Sequence, residues 1–329
     1  RRNGSMLAKL LLGIVFSLGA PLALFAQERY AISYGGTAGF QASIWAMKDL
    51  GALEKYGLDA DVVLVPGTTR GIQGLLGGSL HFAQVDAAGA LTAILNGADL
   101  VLVGGTMNKI PFSMVTQPEI RDPKQLKGKK IGVVNFGGAN EFAVLAALKE
   151  WDIPAQSVTI MAAGGAANRL VGLSAKALDA TVLSPPETLK AEQLGFRILL
   201  HLSELKASFP MNMIAVRGAF LEKNRDAVKR FLKAHSDAVY QFKHDKKKGV
   251  RVYQKRLRQK EAAVIDATYD YYAPKFEVPP RVNREGLEFT AKFVMGRVAG
   301  GKTLDINKIL DESILDELDK EGFFKTLAK

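Results

Sequence analysis

Apolar positions along this chain change period again and again. Residues 30–34 read as a strand, followed by a Gly-rich turn. Ala42, Trp45, Ala46, Leu50 and Leu53 then recur at helical spacing, and Gly57 stands where a helix C-cap falls. Residues 61–65 read as the next strand, closed by Pro66 and Gly67, with further strands over 80–85 and 100–103. Such alternation predicts βαβ units and a mostly parallel sheet covered by helices. A polar connector over 117–130 carries Pro118, Asp122, Pro123, Gly128 and five basic residues, and the alternation restarts at 131–134. Another strand is expected over 211–216. Helical stretches, including 226–243, then run to the end, interrupted by the proline-rich 274–280. This tail is expected to pack on the first lobe, because the chain must cross between lobes and return.

The restart resembles the beginning. Residues 32–40 (ISYGGTAGF) align with 134–142 (VNFGGANEF) at an offset of 102. Gly74, Leu75 and Leu80 align with Gly172, Leu173 and Leu178 at an offset of 98, and Asp86 then matches Ser184. Two such matches in the same order predict two lobes of like architecture.

The N-terminus changes the picture of location. Arg1, Arg2 and Lys9 precede an apolar run, Gly19 and Pro21 break it, and Ala26 offers a small residue at a cleavage point. This pattern predicts an export signal over residues 1–26. As a membrane anchor, the run over 10–26 is at the short end of the roughly 17–25 residues a spanning helix needs, and its glycines and proline weaken it further. Cysteine is absent, which removes thiol catalysis, cysteine metal sites and lipid attachment through cysteine. A free periplasmic protein is expected. Net charge is +11, with basic residues gathered late: Lys243, Lys246, Lys247, Lys248, Arg251, Lys255, Arg256, Arg258 and Lys260. Nucleic-acid binding needs recognition elements interleaved with charge, and access to nucleic acid. Export argues against access, so the cluster reads as a solvated helical face.

In open α/β sheets, ligands bind beyond the C-terminal strand ends. Here those ends carry Gly-rich turns leading into helices: 35–37, 67–69, 137–140 and 164–166. Glycine admits close backbone approach, and helix N-termini suit carboxylate, sulfonate or phosphate. A single such turn is explained by its backbone geometry alone; four in equivalent places point to a binding cleft. Gly36 and Gly138 supply backbone, and Thr37, Thr68, Thr69, Asn140 and Asn168 can donate and accept hydrogen bonds. Tyr34, Phe40 and Phe136 are candidate apolar walls, with core packing the alternative for each. Asp86 and its counterpart Ser184 follow strands, and Asp86 and Glu187 are acidic candidates for an amine or hydroxyl. Glu187 follows the stiff Ser184-Pro185-Pro186 turn; the competing role is a charge at a helix N-terminus. Arg70 and Arg169 read as surface or structural partners ahead of anion ligands.

No catalytic residue, metal site or cofactor is expected. His81, His201, His235 and His244 lack metal-ligand spacing, and no nucleophile-elbow serine occurs. Residues 296–303 (GRVAGGKT) fit the phosphate-binding P-loop letter for letter. That loop requires a strand before it and a helix after it. Residues 287–295 read as a helix instead, and only 26 residues follow Thr303, so a Gly-rich interhelical turn is expected.

Residues 53–58 (LEKYGL), 122–133 (DPKQLKGKKIGV), 177–180 (ALDA) and 195–196 (GF) resemble the substrate-binding proteins of ABC importers of the nitrate, sulfonate, taurine and thiamine-precursor type. The resemblance covers residues 30–324. It implies a type II periplasmic binding protein: α/β, with two Rossmann-like lobes joined by a two-strand hinge near 106–117 and 210–216. Lobe 1 would comprise 27–112 with 213–329, and lobe 2 113–212. It implies a monomer binding a small-molecule ligand in the interlobe cleft by hinge closure and delivering it to a permease and its ATPase. A sulfonate, nitrate, carboxylate or pyrimidine-like molecule is the expected cargo. Two alternatives share the fold. One is a ligand-sensing module signalling to a membrane receptor. The other is a yeast-type thiamine-pyrimidine synthase; those carry a Cys-rich motif and an active histidine, and this chain has no cysteine.

Overall fold

The computed structural model describes residues 29–205, 208–297 and 301–328. The expected export signal lies outside them. The chain opens with β1 (Tyr30–Tyr34), α1 (Ala42–Asp49), α2 (Ala52–Lys55), β2 (Ala60–Leu64), α3 (Thr68–Leu76), β3 (Phe82–Val85), α4 (Ala87–Leu95) and β4 (Val101–Met107). The helix expected over 42–53 is split because Gly51 adopts the left-handed conformation, φ 74°. A second run follows: β5 (Ser113–Thr116), β6 (Lys130–Val133), α5 (Ala139–Glu150), β7 (Thr159–Ala162), α6 (Ala166–Ser174), β8 (Ala180–Leu183), α7 (Glu187–Gln193) and β9 (Arg197–His201). The chain returns as β10 (Asn212–Val216), then α8 (Gly218–Lys223), α9 (Arg225–His244), α10 (Lys246–Arg256), α11 (Ala262–Tyr272) and α12 (Arg284–Met295). It ends with α13 (Ile306–Ile309), α14 (Ser313–Lys320) and α15 (Phe323–Leu327).

Two five-stranded sheets result, ordered β2-β1-β3-β10-β4 and β7-β6-β8-β5-β9. Position for position, β1 corresponds to β6, β2 to β7, β3 to β8, β10 to β5 and β4 to β9. The expectation of mostly parallel sheets needs correcting in one respect: each contains an antiparallel strand. β10 runs against β3 and β4, and β5 runs against β8 and β9. Each is the first strand after the chain changes sheets, so no crossover helix returns it to its neighbours' direction.

The sequence repeat has a packing basis. A Cβ on Gly74 would lie 2.6 Å from Leu80 Cδ1, and one on Gly172 would lie 2.8 Å from Leu178 Cδ1. In both lobes the leucine that leads into a central strand therefore presses on a helix at a position without a side chain. Leu80 N–H and Leu178 N–H also donate to the Gly74 and Gly172 carbonyls at the same distance, 3.1 Å.

The C-terminal helices cover lobe 1. On α9, Val228, Phe231, Leu232, His235, Val239 and Phe242 recur at helical spacing and are buried. Phe231 stacks on Phe82 of β3, ring centroids 4.1 Å apart. Several residues of the late basic cluster hold this layer together rather than facing solvent alone. Arg256 makes two bonds to the buried Asp49, at 2.6 and 2.7 Å, Lys255 reaches the same carboxylate at 2.7 Å, and Lys246 pairs with Asp270 at 2.7 Å. The P-loop-like motif follows α12, not a strand, and residues 301–305 are irregular before Asp305 caps the short α13.

Candidate functional site

The C-terminal edges of the two sheets face each other. On the lobe 1 side, β1, β2 and β3 end at Tyr34, Leu64 and Val85. Gly67 N–H donates to the Gly35 carbonyl, 2.9 Å, tying two of these turns together. Gly67 has φ 83°, a conformation that favours glycine. A Cβ on Gly67 would stand 2.9 Å from Asn135 Nδ2 of lobe 2. Beneath the turns, Gln41 accepts from Gly35 N–H and from Gln84, and Gln84 accepts from Ser43 at 2.7 Å.

Asp86 caps α4, accepting from Gly89 N–H at 2.9 Å. Its other oxygen takes the Thr68 hydroxyl. The backbone N–H of Ala139, at the head of α5 in lobe 2, interacts with the same carboxylate. Burial pushes the Asp86 carboxyl above its usual range, opposed by these three donors, which favour the ionised form.

On the lobe 2 side, the neighbouring parallel strands β6 and β8 deliver the heads of α5 and α7 side by side. Asn140 is 7% exposed, and its Oδ1 has no hydrogen-bond partner among the described residues. Glu187 is partly buried, and its Oε2 is enclosed and likewise unpartnered. Burial raises its pKa to about 7, while the Arg169 guanidinium pulls the other way. Arg169 itself is buried and committed to backbone and hydroxyl acceptors. It donates to Gly164 O at 3.0 Å, to Thr181 Oγ1 at 3.3 Å and to the Val182 carbonyl. This is the structural pairing expected of it.

Contacts span the cleft. Gly39 N–H donates to the Pro185 carbonyl at 3.3 Å, and the Tyr272 hydroxyl reaches the same oxygen at 3.2 Å. Arg297 of the P-loop-like motif pairs with Glu141 of α5 at 3.1 Å. Glu141 in turn accepts from Gly137 N–H at 2.6 Å. Beside this pair a cavity of about 410 Å³ opens between α4, the β6–α5 turn and α12.

The candidates separate into groups. Thr68, Asp86, Gly138, Asn140, Ser184 and Glu187 lie at the facing edges, with Gly138 Cα positioned so that a Cβ would lie 3.8 Å from Asp86 Oδ2. Gly36 sits over Gln41 in the β1 turn. Thr37, Thr69 and Asn168 are exposed. Phe136 is 55% exposed and lines the side cavity. Tyr34 packs edge-on to Trp45, and Phe40 is buried against Phe112 and Tyr272, so both make core contacts. Sequence reasoning missed Gln41, Gln84 and Asn135, and above all Tyr272, which the C-terminal tail brings to the cleft. The lettering ISYGGTAGFQ contained Gln41 one residue beyond the repeat; nothing local marked Tyr272.

Residues 42–246 match the family described as NMT1/THI5 like. The chain belongs to this NMT1/THI5-like family. No curated protein sequence matches it. Among solved structures, the alkanesulfonate-binding protein SsuA from Xanthomonas axonopodis pv. citri bound to MOPS is 17% identical with a TM-score of 0.72, covering 86% of this chain and 98% of that one. The periplasmic aliphatic sulphonate binding protein SsuA from Escherichia coli is 20% identical, TM-score 0.70, covering 86% and 91%. The periplasmic nitrate-binding protein NrtA from Synechocystis PCC 6803 is 13% identical, TM-score 0.69, covering 89% and 88%. The NMT1/THI5-like chain thus has the periplasmic binding protein fold. Among its described residues, no helix is long and apolar enough to cross a membrane, and no group of three or more His, Cys, Asp and Glu could hold a metal ion.

Proposed function

We propose that this chain is the extracytoplasmic solute-binding subunit of an ABC importer. In this reading it is a periplasmic monomer, exported by the signal over residues 1–26, that closes its lobes on a small molecule and docks on a permease with its ATPase. The observation that carries the reading is the cluster of Thr68, Asp86, Asn140 and Glu187, buried or half-buried, where the strand ends of the two lobes face each other. Buried polar groups at strand C-termini between lobes are suited to a ligand and poorly explained by core packing. Closure needs no covalent chemistry: a ligand that touches both lobes favours the form in which both contact it.

Family membership supports the reading, and the sulfonate- and nitrate-binding neighbours share its fold. A thermal-shift screen over sulfonates, nitrate, carboxylic acids, amines and pyrimidines tests it, with small-angle scattering to follow closure. A ligand that raises the melting temperature and shrinks the radius of gyration is expected. Silence across the whole panel would overturn the receptor assignment. Binding with no uptake defect on deleting a neighbouring permease gene would instead favour a sensing module of the same fold.

A further inference from the structure

Resting on the reading of this cleft as the binding site, we propose that its lobe 2 side receives a protonated nitrogen, an amine or amidine, with Glu187 and Asn140 as its acceptors. The same position would exclude a sulfonate or nitrate group.

Three of the donors an anion would use there are already engaged. The head of α5 is the obvious place for an anion, and Ala139 N–H faces the protein's own Asp86 carboxylate. Gly137 N–H is bound by Glu141. Arg169 is the buried cation behind Glu187, and its bonds run to Gly164, Thr181 and Val182, away from any ligand. Among the described residues, neither Asp86 nor Glu187 has an ion-pair partner within 4 Å. Two acceptors there are enclosed and without a partner among the described residues, Glu187 Oε2 and Asn140 Oδ1.

An arriving sulfonate would meet the Asp86 and Glu187 carboxyl groups, with the buried Arg169 already bonded elsewhere. Like charges at short range in a buried site are strongly unfavourable. An arriving N–H donor would satisfy two acceptors that otherwise remain buried and unpaired, each costing about 1–3 kcal/mol. A cationic donor would also hold Glu187 ionised and make a charge-assisted bond, the stronger kind. Tyr272, whose phenol feels the Glu187 charge, reaches the turn before Glu187 from the lobe 1 side.

The test titrates the full chain calorimetrically at pH 8 with benzamidine, benzylamine, benzenesulfonate and nitrate. It compares wild type with Glu187→Gln, a near-isosteric change. The expected result is binding of benzamidine or benzylamine, weakened at least tenfold in Glu187→Gln, with no heat from benzenesulfonate or nitrate. The Glu187 carboxyl carbon should titrate at lower pH with the amine bound, a shift a merely structural carboxyl would not show. Binding of benzenesulfonate or nitrate without either amine would overturn the inference and leave the receptor assignment standing. Amine binding undiminished in a folded Glu187→Gln would overturn it as well, as would no binding of any of the four probes. In that last case the wider ligand screen separately decides whether the receptor assignment falls too.

Discussion

The Tyr272 hydroxyl donates to the Pro185 carbonyl at 3.2 Å, joining the end of α11 to the turn that presents Glu187. One residue comes from the C-terminal tail and the other from lobe 2, so this bond exists only while the lobes are together. Tyr272→Phe removes a neutral hydrogen bond and keeps the ring that packs on Phe40. Such a bond is worth about 1 kcal/mol, or roughly fivefold in an equilibrium. The expected outcome is a larger radius of gyration by scattering and about fivefold weaker ligand binding, with an unchanged far-ultraviolet spectrum. A variant as compact as wild type would remove this bond from any account of closure.

Asp86 does two jobs that a substitution can separate. It caps α4 through Gly89, and it meets Thr68 and Ala139 at the cleft. Asp86→Ala should destabilise the chain by about 1–2 kcal/mol, the usual range for losing an N-cap, read from denaturant unfolding. Asp86→Asn retains a capping oxygen and removes the charge. It should recover most of that stability while making the cleft more tolerant of anions, seen as tighter benzenesulfonate binding than in wild type. Equal stability of Asp86→Ala and wild type would contradict the capping role.

The paired glycines give a prediction that runs identically in both lobes. Gly74→Ala and Gly172→Ala each drive a methyl group against the leucine that precedes β3 or β8. Overpacking of this kind costs about 1–3 kcal/mol. Each should lower the unfolding midpoint, and shortening the facing side chain, as Leu80→Val or Leu178→Val, should return part of the loss. Additive effects in either double variant would show that the contact is not the cause.

These glycines also show what was legible beforehand. The strand–helix alternation and the repeat were written in local patterns, because glycine, proline and apolar period act over a few residues; the crossings between sheets were implied by the family resemblance. Strands β5 and β9 were not distinguished, since Ser113–Thr116 and Arg197–His201 are short and their pairing is with partners far along the chain. The site was half legible. Strand-end residues such as Thr68, Asp86, Asn140 and Glu187 follow from topology alone. Whether a strand-end side chain turns inward depends on its neighbours: Tyr34 goes to Trp45, and Thr37 stays exposed. The position 98 residues before Arg169 is Gly71, so the repeat gave no hint that one lobe would bury a cation there.

His235 offers a test of the lobe 1 core by pH. It lies on α9 with no exposure, stacked near Phe231, and neither ring nitrogen has a partner among the described residues. Burial lowers its pKa from 6.5 to about 3. The unfolded chain therefore takes up a proton below about pH 6.5, and the folded chain resists it until about pH 3. Between those values the unfolded state binds more protons, so stability must fall as pH falls. At one pKa unit per roughly 1.4 kcal/mol, the full effect is on the order of a few kcal/mol. His235→Leu is close in volume and cannot titrate. Its melting temperature should match or slightly exceed that of wild type at pH 8, with the advantage growing steadily from pH 6.5 down to pH 4. A difference between the two proteins that stays constant over that range would mean that His235 is not buried in its neutral form.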